Sequence, residues 1–117
     1  MTAPLAPLVG LLRAEPALAE LLSGGDSAVA VADPARAFVL AGLGALGHAP
    51  VLLVATPTGA EAERIAHDLG VFHDPATVAV LPAWETLPFE LVSPAAETMG
   101  SRLRTLWRID RAHRRDA

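Results

Sequence analysis

Three short apolar runs, set between segments of helical periodicity, constrain this chain more than any other feature. They are Ser27–Ala32 (Ser-Ala-Val-Ala-Val-Ala), Val51–Ala55 (Val-Leu-Leu-Val-Ala) and Thr77–Leu81 (Thr-Val-Ala-Val-Leu). Runs this short, bounded by Gly, Pro and Asp, read as strands covered on both faces. With helical segments between them, they predict an α/β fold: a parallel sheet with helices on both faces. Three strands make a small sheet, which points to the front end of something larger.

The intervening segments carry helix signals of their own. Residues 5–22 repeat leucine at helical spacing, and Pro16 divides the run because it drives Glu15 out of the α region. Ser23-Gly24-Gly25-Asp26 reads as a stop and turn. Asp33 as N-cap and Pro34 at the first helical position open a helix to Leu46, apolar nearly all round after Arg36 and so covered on more than one face. Thr58 and Glu61 form a capping box for a helix whose buried stripe is Ala62, Ile65, Ala66 and Leu69, with Gly70 as its stop. Pro82 to Val92 is irregular. Ser93 caps a last helix, with Pro94 at its first position, Glu97 in its first turn and an apolar side of Met99, Leu103, Leu106 and Trp107.

Bulk properties narrow the function classes. At 117 residues the chain is one domain at most, and 52% hydrophobic content is ample for a core. The longest apolar run, Phe38–Leu46, is far short of the ~18–20 residues that span a bilayer, so no membrane contact is expected. Met1-Thr-Ala-Pro lacks the basic start of a secretion signal, which predicts a cytoplasmic protein. Zero cysteines exclude disulfides and thiolate metal sites. Charge is segregated: residues 1–100 hold three Arg against eleven acids, whereas residues 101–117 hold six Arg against Asp110 and Asp116.

Candidate chemistry is sparse. Gly42-Leu-Gly-Ala-Leu-Gly47 spells G-x-G-x-x-G, but it ends a predicted helix instead of opening one, so close packing and a helix stop explain it better than a dinucleotide. The turn that would cradle phosphate in an α/β domain is Ala32, Asp33, Pro34, Ala35 and Arg36. It has no glycine nest, no Lys and no Ser/Thr; Pro34 removes an amide donor and Asp33 repels an anion. His48, His67, His73 and His113 lack ligand spacing. Glu85 and Glu90 bracket an apolar loop without a nucleophile, which favours surface or capping roles. Arg104, Arg108, Arg111 and Arg115 recur on one face of the last helix, with Asp110 and Arg114 paired beside them. That stripe is either a solvated or partner-facing surface or a grip on phosphates; with no aromatic interleaved, the former is the stronger reading.

The stretch Leu81–Leu106 is the most individual in the chain. Leu-Pro-Ala-Trp-Glu-Thr-Leu-Pro-Phe-Glu, followed by Ser-Pro-Ala-Ala-Glu-Thr-Met-Gly-Ser-Arg-Leu-Arg-Thr-Leu, closely resembles the N-terminal region of the bacterial transcription-repair coupling factors (Mfd). Thr56-Pro57-Thr58 with its Ala/Glu-rich helix, and the apolar helix after Asp33, also fit that family. The resemblance implies that residues 1–117 are the N-terminal part of a UvrB-like, RecA-type domain: an incomplete parallel sheet with a degenerate P-loop. It implies a parent that is an ATP-dependent DNA translocase, which displaces stalled RNA polymerase and recruits nucleotide excision repair. ATP and Mg belong to that parent's motor, and no cofactor is expected in this fragment. RNA polymerase, UvrA and double-stranded DNA are the parent's partners, along with the other domains of the same chain. The rival readings are a nucleotide-dependent helicase or ATPase domain of the UvrB type, and a DNA-binding element using the Arg stripe. Trp84 is expected to pack into the domain, and the fragment alone to be marginally stable or aggregation-prone.

Overall fold

Pro16 is where the first helical stretch changes character. The computed structural model describes residues 3–84, 87, 89–90 and 93–116. A 3-10 helix, Ala6–Ala14, precedes α1, Pro16–Leu22, and Glu15 between them is extended at φ −86°, ψ 114°. Division at Pro16 follows from the ring's clash with the preceding residue. Gly24 and Gly25 then adopt φ of 80° and 113°, which L side chains rarely tolerate, and turn the chain.

A short 3-10 turn, Asp33–Ala35, leads into α2, Arg36–Leu46. Ala32, not Asp33, is the residue before that turn, and the Asp33 carboxylate bonds sideways to Arg36 instead of capping. α3, Gly59–Phe72, begins as expected, with the Thr58 hydroxyl accepting the Glu61 N–H at 3.2 Å. It does not stop at Gly70. The helix continues two more residues to Phe72, and Gly70 instead lets Pro75 of a second 3-10 turn, Pro75–Thr77, pack close against it. α4, Ala96–Asp116, starts two to three residues later than Ser93-Pro94 suggested.

The core lies where the first 3-10 helix, α1, α2 and α3 meet. Val9, Leu18, Ala37, Ala41 and Ile65 are its buried apolar residues. Phe38 and Phe72, ring centroids 5.3 Å apart, join α2 to α3, and Leu5 N–H bonds the Val71 carbonyl at 2.9 Å. The expected stripe on α3 is therefore the packing face.

The predicted α/β class does not hold. Among the described residues there is no strand, and hence no RecA-like parallel sheet; the three apolar runs pass as unpaired chain. Leu52, Leu53 and Val54 lie exposed, where a sheet interior would have buried them. A short apolar run satisfies the pattern of a buried strand, but the strand exists only if a neighbour supplies its hydrogen bonds. Around the third run, side chains of α4 bond one carbonyl within it and one on either flank. Arg108 donates to the carbonyls of Ala76 and Val78, and Arg102 donates to that of Pro82. Two guanidinium groups of α4 thus tie this segment to the helix at three carbonyls.

α4 is set apart by that arrangement, for among the described residues it packs against no other helix. Its covered face is largely polar in its first half: Thr105 is buried, flanked by half-buried Ser101, Arg102 and Arg108, with half-buried Ile109 and Ala112 further along. Its apolar side, Met99, Leu103, Leu106 and Trp107, faces outward. The whole chain exposes 8636 Å², against roughly 6,000 Å² for a folded monomer of this mass. Its radius of gyration of 15.9 Å likewise exceeds the ~13 Å of a compact domain this long.

Candidate functional site

Two places in the fold concentrate functional side chains: the turn into α2 and the outer surface of α4. At the first, the 3-10 turn places Arg36 at the start of α2, while the Thr58 cap holds Glu61 in the first turn of α3. Arg36 Nη2 lies 2.8 Å from Asp33 Oδ1 and its Nη1 3.0 Å from Glu61 Oε1, with Arg64 Nη2 3.9 Å from the same Glu61 oxygen. Glu61 therefore does not reach back to complete the capping box; its carboxylate is turned to Arg36. The Ala35 N–H is bonded to the Ala32 carbonyl at 2.8 Å. At this turn the chain has an arginine already paired twice, and without a strand before it the turn is not the phosphate position of an α/β domain. The arrangement ties the start of α2 to the start of α3.

The glycine motif falls at the other end of α2. Gly42 is buried where α2 crosses Leu12 and Leu18, Gly44 faces open space, and Gly47 is the C-cap. The three glycines thus have three separate positions, none at a helix N-terminus.

On α4, the predicted stripe of Arg104, Arg108, Arg111 and Arg115 shares one side of the helix but is not four equivalent cations. Arg108 is half-buried and bonded to the backbone of residues 76 and 78. Arg111 lies over the Trp107 ring at 4.9 Å, so an aromatic does accompany the stripe. Arg104 and Arg115 are exposed, and Arg114 pairs with Asp110 at 2.9 Å, as the spacing indicated.

Arg102, which no stripe singled out, proves central: besides bonding Pro82 it lies 4.4 Å over the Trp84 ring. The available signal was the small polar face Thr98, Ser101 and Thr105 beside it, which lets backbone approach the helix closely. Trp84 itself is 52% exposed, so the expectation that it packs into the domain is corrected. An arginine covers one side of the ring, and no core receives it.

The remaining candidates do not converge. His48, His67 and His113 are exposed and His73 half-buried, and no group of three or more metal-ligating side chains occurs among the described residues. Of the carboxylate pair, Glu85 lies outside the described residues. Glu90 accepts the Leu87 N–H at 3.0 Å, a turn-capping role. An open groove of about 340 Å³ between α1, α2 and residues 29–32 is lined by apolar side chains and Glu15, whose carboxylate already accepts the Ala17 N–H. No described helix is long and apolar enough to cross a membrane.

Comparison with known proteins covers nearly the whole chain. Transcription-repair-coupling factors of Mycobacterium bovis and Mycobacterium tuberculosis are each 42% identical to this chain over 97% of its length. The chain belongs to the transcription-repair-coupling factor family. It spans 9% of the length of the curated relatives it matches. No protein-family model matches the chain, and no solved structure does. In this coupling-factor segment Arg102 joins the loop at Pro82 and Trp84 to α4.

Proposed function

We propose that this chain is a non-catalytic module of a transcription-repair coupling factor, acting as scaffold and partner-docking surface. The parent, on this reading, is a cytoplasmic ATP-dependent DNA translocase that displaces stalled RNA polymerase and recruits excision repair through UvrA. ATP and Mg, and the grip on double-stranded DNA, belong to other parts of that parent. One observation carries the non-catalytic assignment: Arg36 is paired to both Asp33 and Glu61, 2.8 and 3.0 Å away, so this cation is already neutralised by two carboxylates. A triphosphate placed there would have to displace two carboxylates and overcome their repulsion.

Titrating Mg-ATP into the 117-residue chain, with heat and tryptophan emission as readouts, tests the assignment. No saturable signal is the expected outcome; micromolar affinity that is lost in Arg36→Ala would overturn it. The DNA-binding alternative rests on Arg104 and Arg115, because Arg108 is engaged with backbone and Arg111 with Trp107. Two free cations on one helix are a small phosphate footprint.

A further inference from the structure

α4 is joined to the body of the chain by different means from the helices before it. The first 3-10 helix, α1, α2 and α3 pack on one another, and the buried apolar residues of the described chain, Val9, Leu18, Ala37, Ala41 and Ile65, all precede α4. Among the described residues α4 packs against none of those helices. Its one buried side chain, Thr105, bonds the Ser101 carbonyl of its own helix at 3.0 Å and so does nothing to hold α4 in place. Apolar cover on its inner side is limited to half-buried Ile109 and Ala112.

Two arginines make the junction. Arg102 donates to the Pro82 carbonyl and lies 4.4 Å over the Trp84 ring, and Arg108 donates to the carbonyls of Ala76 and Val78. Six residues separate them, so the two fastenings are about 9 Å apart along the helix axis. Both side chains are half-buried. Water competes for donors that it can reach, so each bond adds only modestly to stability.

α4 is also equipped to stay helical without the body. It has 21 residues, beyond the ~12–15 below which an isolated helix is marginal. Glu97 in its first turn and His113, Arg114 and Arg115 in its last complement the helix dipole, and Asp110 pairs with Arg114 one turn on. An element with little buried apolar surface and its own local support separates at a lower free energy than the core it rests on.

We infer that α4 is a strap, fastened to residues 76–84 by Arg102 and Arg108, that opens from the body as a unit while α1, α2 and α3 stay packed. Closed, the strap ties Arg108 to backbone. Open, it returns Arg108 to the side of the helix that carries Arg104 and Arg115, both already exposed.

The chain has no cysteine, so dyes can be attached in chosen pairs to the full 117 residues. His67→Cys/His113→Cys spans α3 to α4, and Glu20→Cys/His67→Cys spans α1 to α3; all three positions are exposed. Energy transfer across each pair is followed in urea. The α3–α4 signal is expected to change at a lower midpoint than the α1–α3 signal. Arg102→Gln/Arg108→Gln should lower the first midpoint further and leave the second in place. Arg104→Gln/Arg115→Gln makes the same change in charge away from the junction and should move neither. One midpoint common to both pairs overturns the inference. So does a shift of both midpoints together, or of neither, in Arg102→Gln/Arg108→Gln, or an equal shift of the first in Arg104→Gln/Arg115→Gln.

Discussion

Gly42 and Gly44 sit two residues apart in α2 and offer an internally controlled test of the helix packing. Both are helix-interior positions, so replacing either by Ala brings the same gain in helix propensity, about 0.8–1 kcal/mol. At Gly44 a Cβ meets nothing within 4 Å. Gly44→Ala should therefore raise stability by nearly the full propensity term, about 4 °C in Tm for a chain of this size.

At Gly42 the new Cβ would lie 2.5 Å from Leu12 Cδ1 and 3.4 Å from Leu18 Cδ2. Leu12 is half-buried, so its end methyl can move, but Leu18 beside it is 3% exposed and closes one direction. Forcing that adjustment costs about 1–3 kcal/mol. After the propensity gain, Gly42→Ala should be neutral to about 2 kcal/mol destabilising. The difference between the two variants isolates the packing term. Urea titration followed by helical circular dichroism measures both. Adding Leu12→Ala should erase most of the Gly42→Ala penalty, since it removes the methyl in conflict. If both glycine variants stabilise equally, α2 does not cross Leu12 as described, and this account of the core fails.

Two further outcomes follow from the same geometry. Trp84→Ala should cost only about 0.5–1 kcal/mol, the scale of an exposed cation–π contact with Arg102; a loss above about 3 kcal/mol in urea would mean that the ring is buried after all. Thr58→Ala removes the side-chain acceptor of the Glu61 N–H and should cost about 1 kcal/mol, whereas Thr58→Asp should restore most of it. An unchanged urea midpoint in Thr58→Ala would show that this cap contributes nothing.

Local chemistry was legible where a single turn of chain decides the outcome. Pro16 divides the first helical stretch whatever surrounds it, and Thr58 caps α3 because its hydroxyl and the Glu61 N–H are three residues apart. The Asp110–Arg114 pair follows from one turn of helix in the same way. The family was legible too, since the order of residues in Leu81–Leu106 needs no packing to be compared. Gly70 was misread as a stop because the sequence does not show that Pro75 returns against it. The pairing at the turn into α2 was not legible, because Arg36 and Glu61 are twenty-five residues apart.

What the sequence by itself determined, then, was the approximate helix positions, the Thr58 cap and family membership. What only the tertiary structure decided was whether the apolar runs become strands, and which side of α4 faces in. Both depend on partners distant along the chain. A strand requires a second backbone to complete its hydrogen bonds, and here Arg102 and Arg108 bond the carbonyls of residues 76, 78 and 82 instead. That choice turns the polar face of α4 inward and leaves Leu103 and Trp107 in water. Amphipathic periodicity identifies a helix's two faces; it does not say which one the rest of the fold will cover.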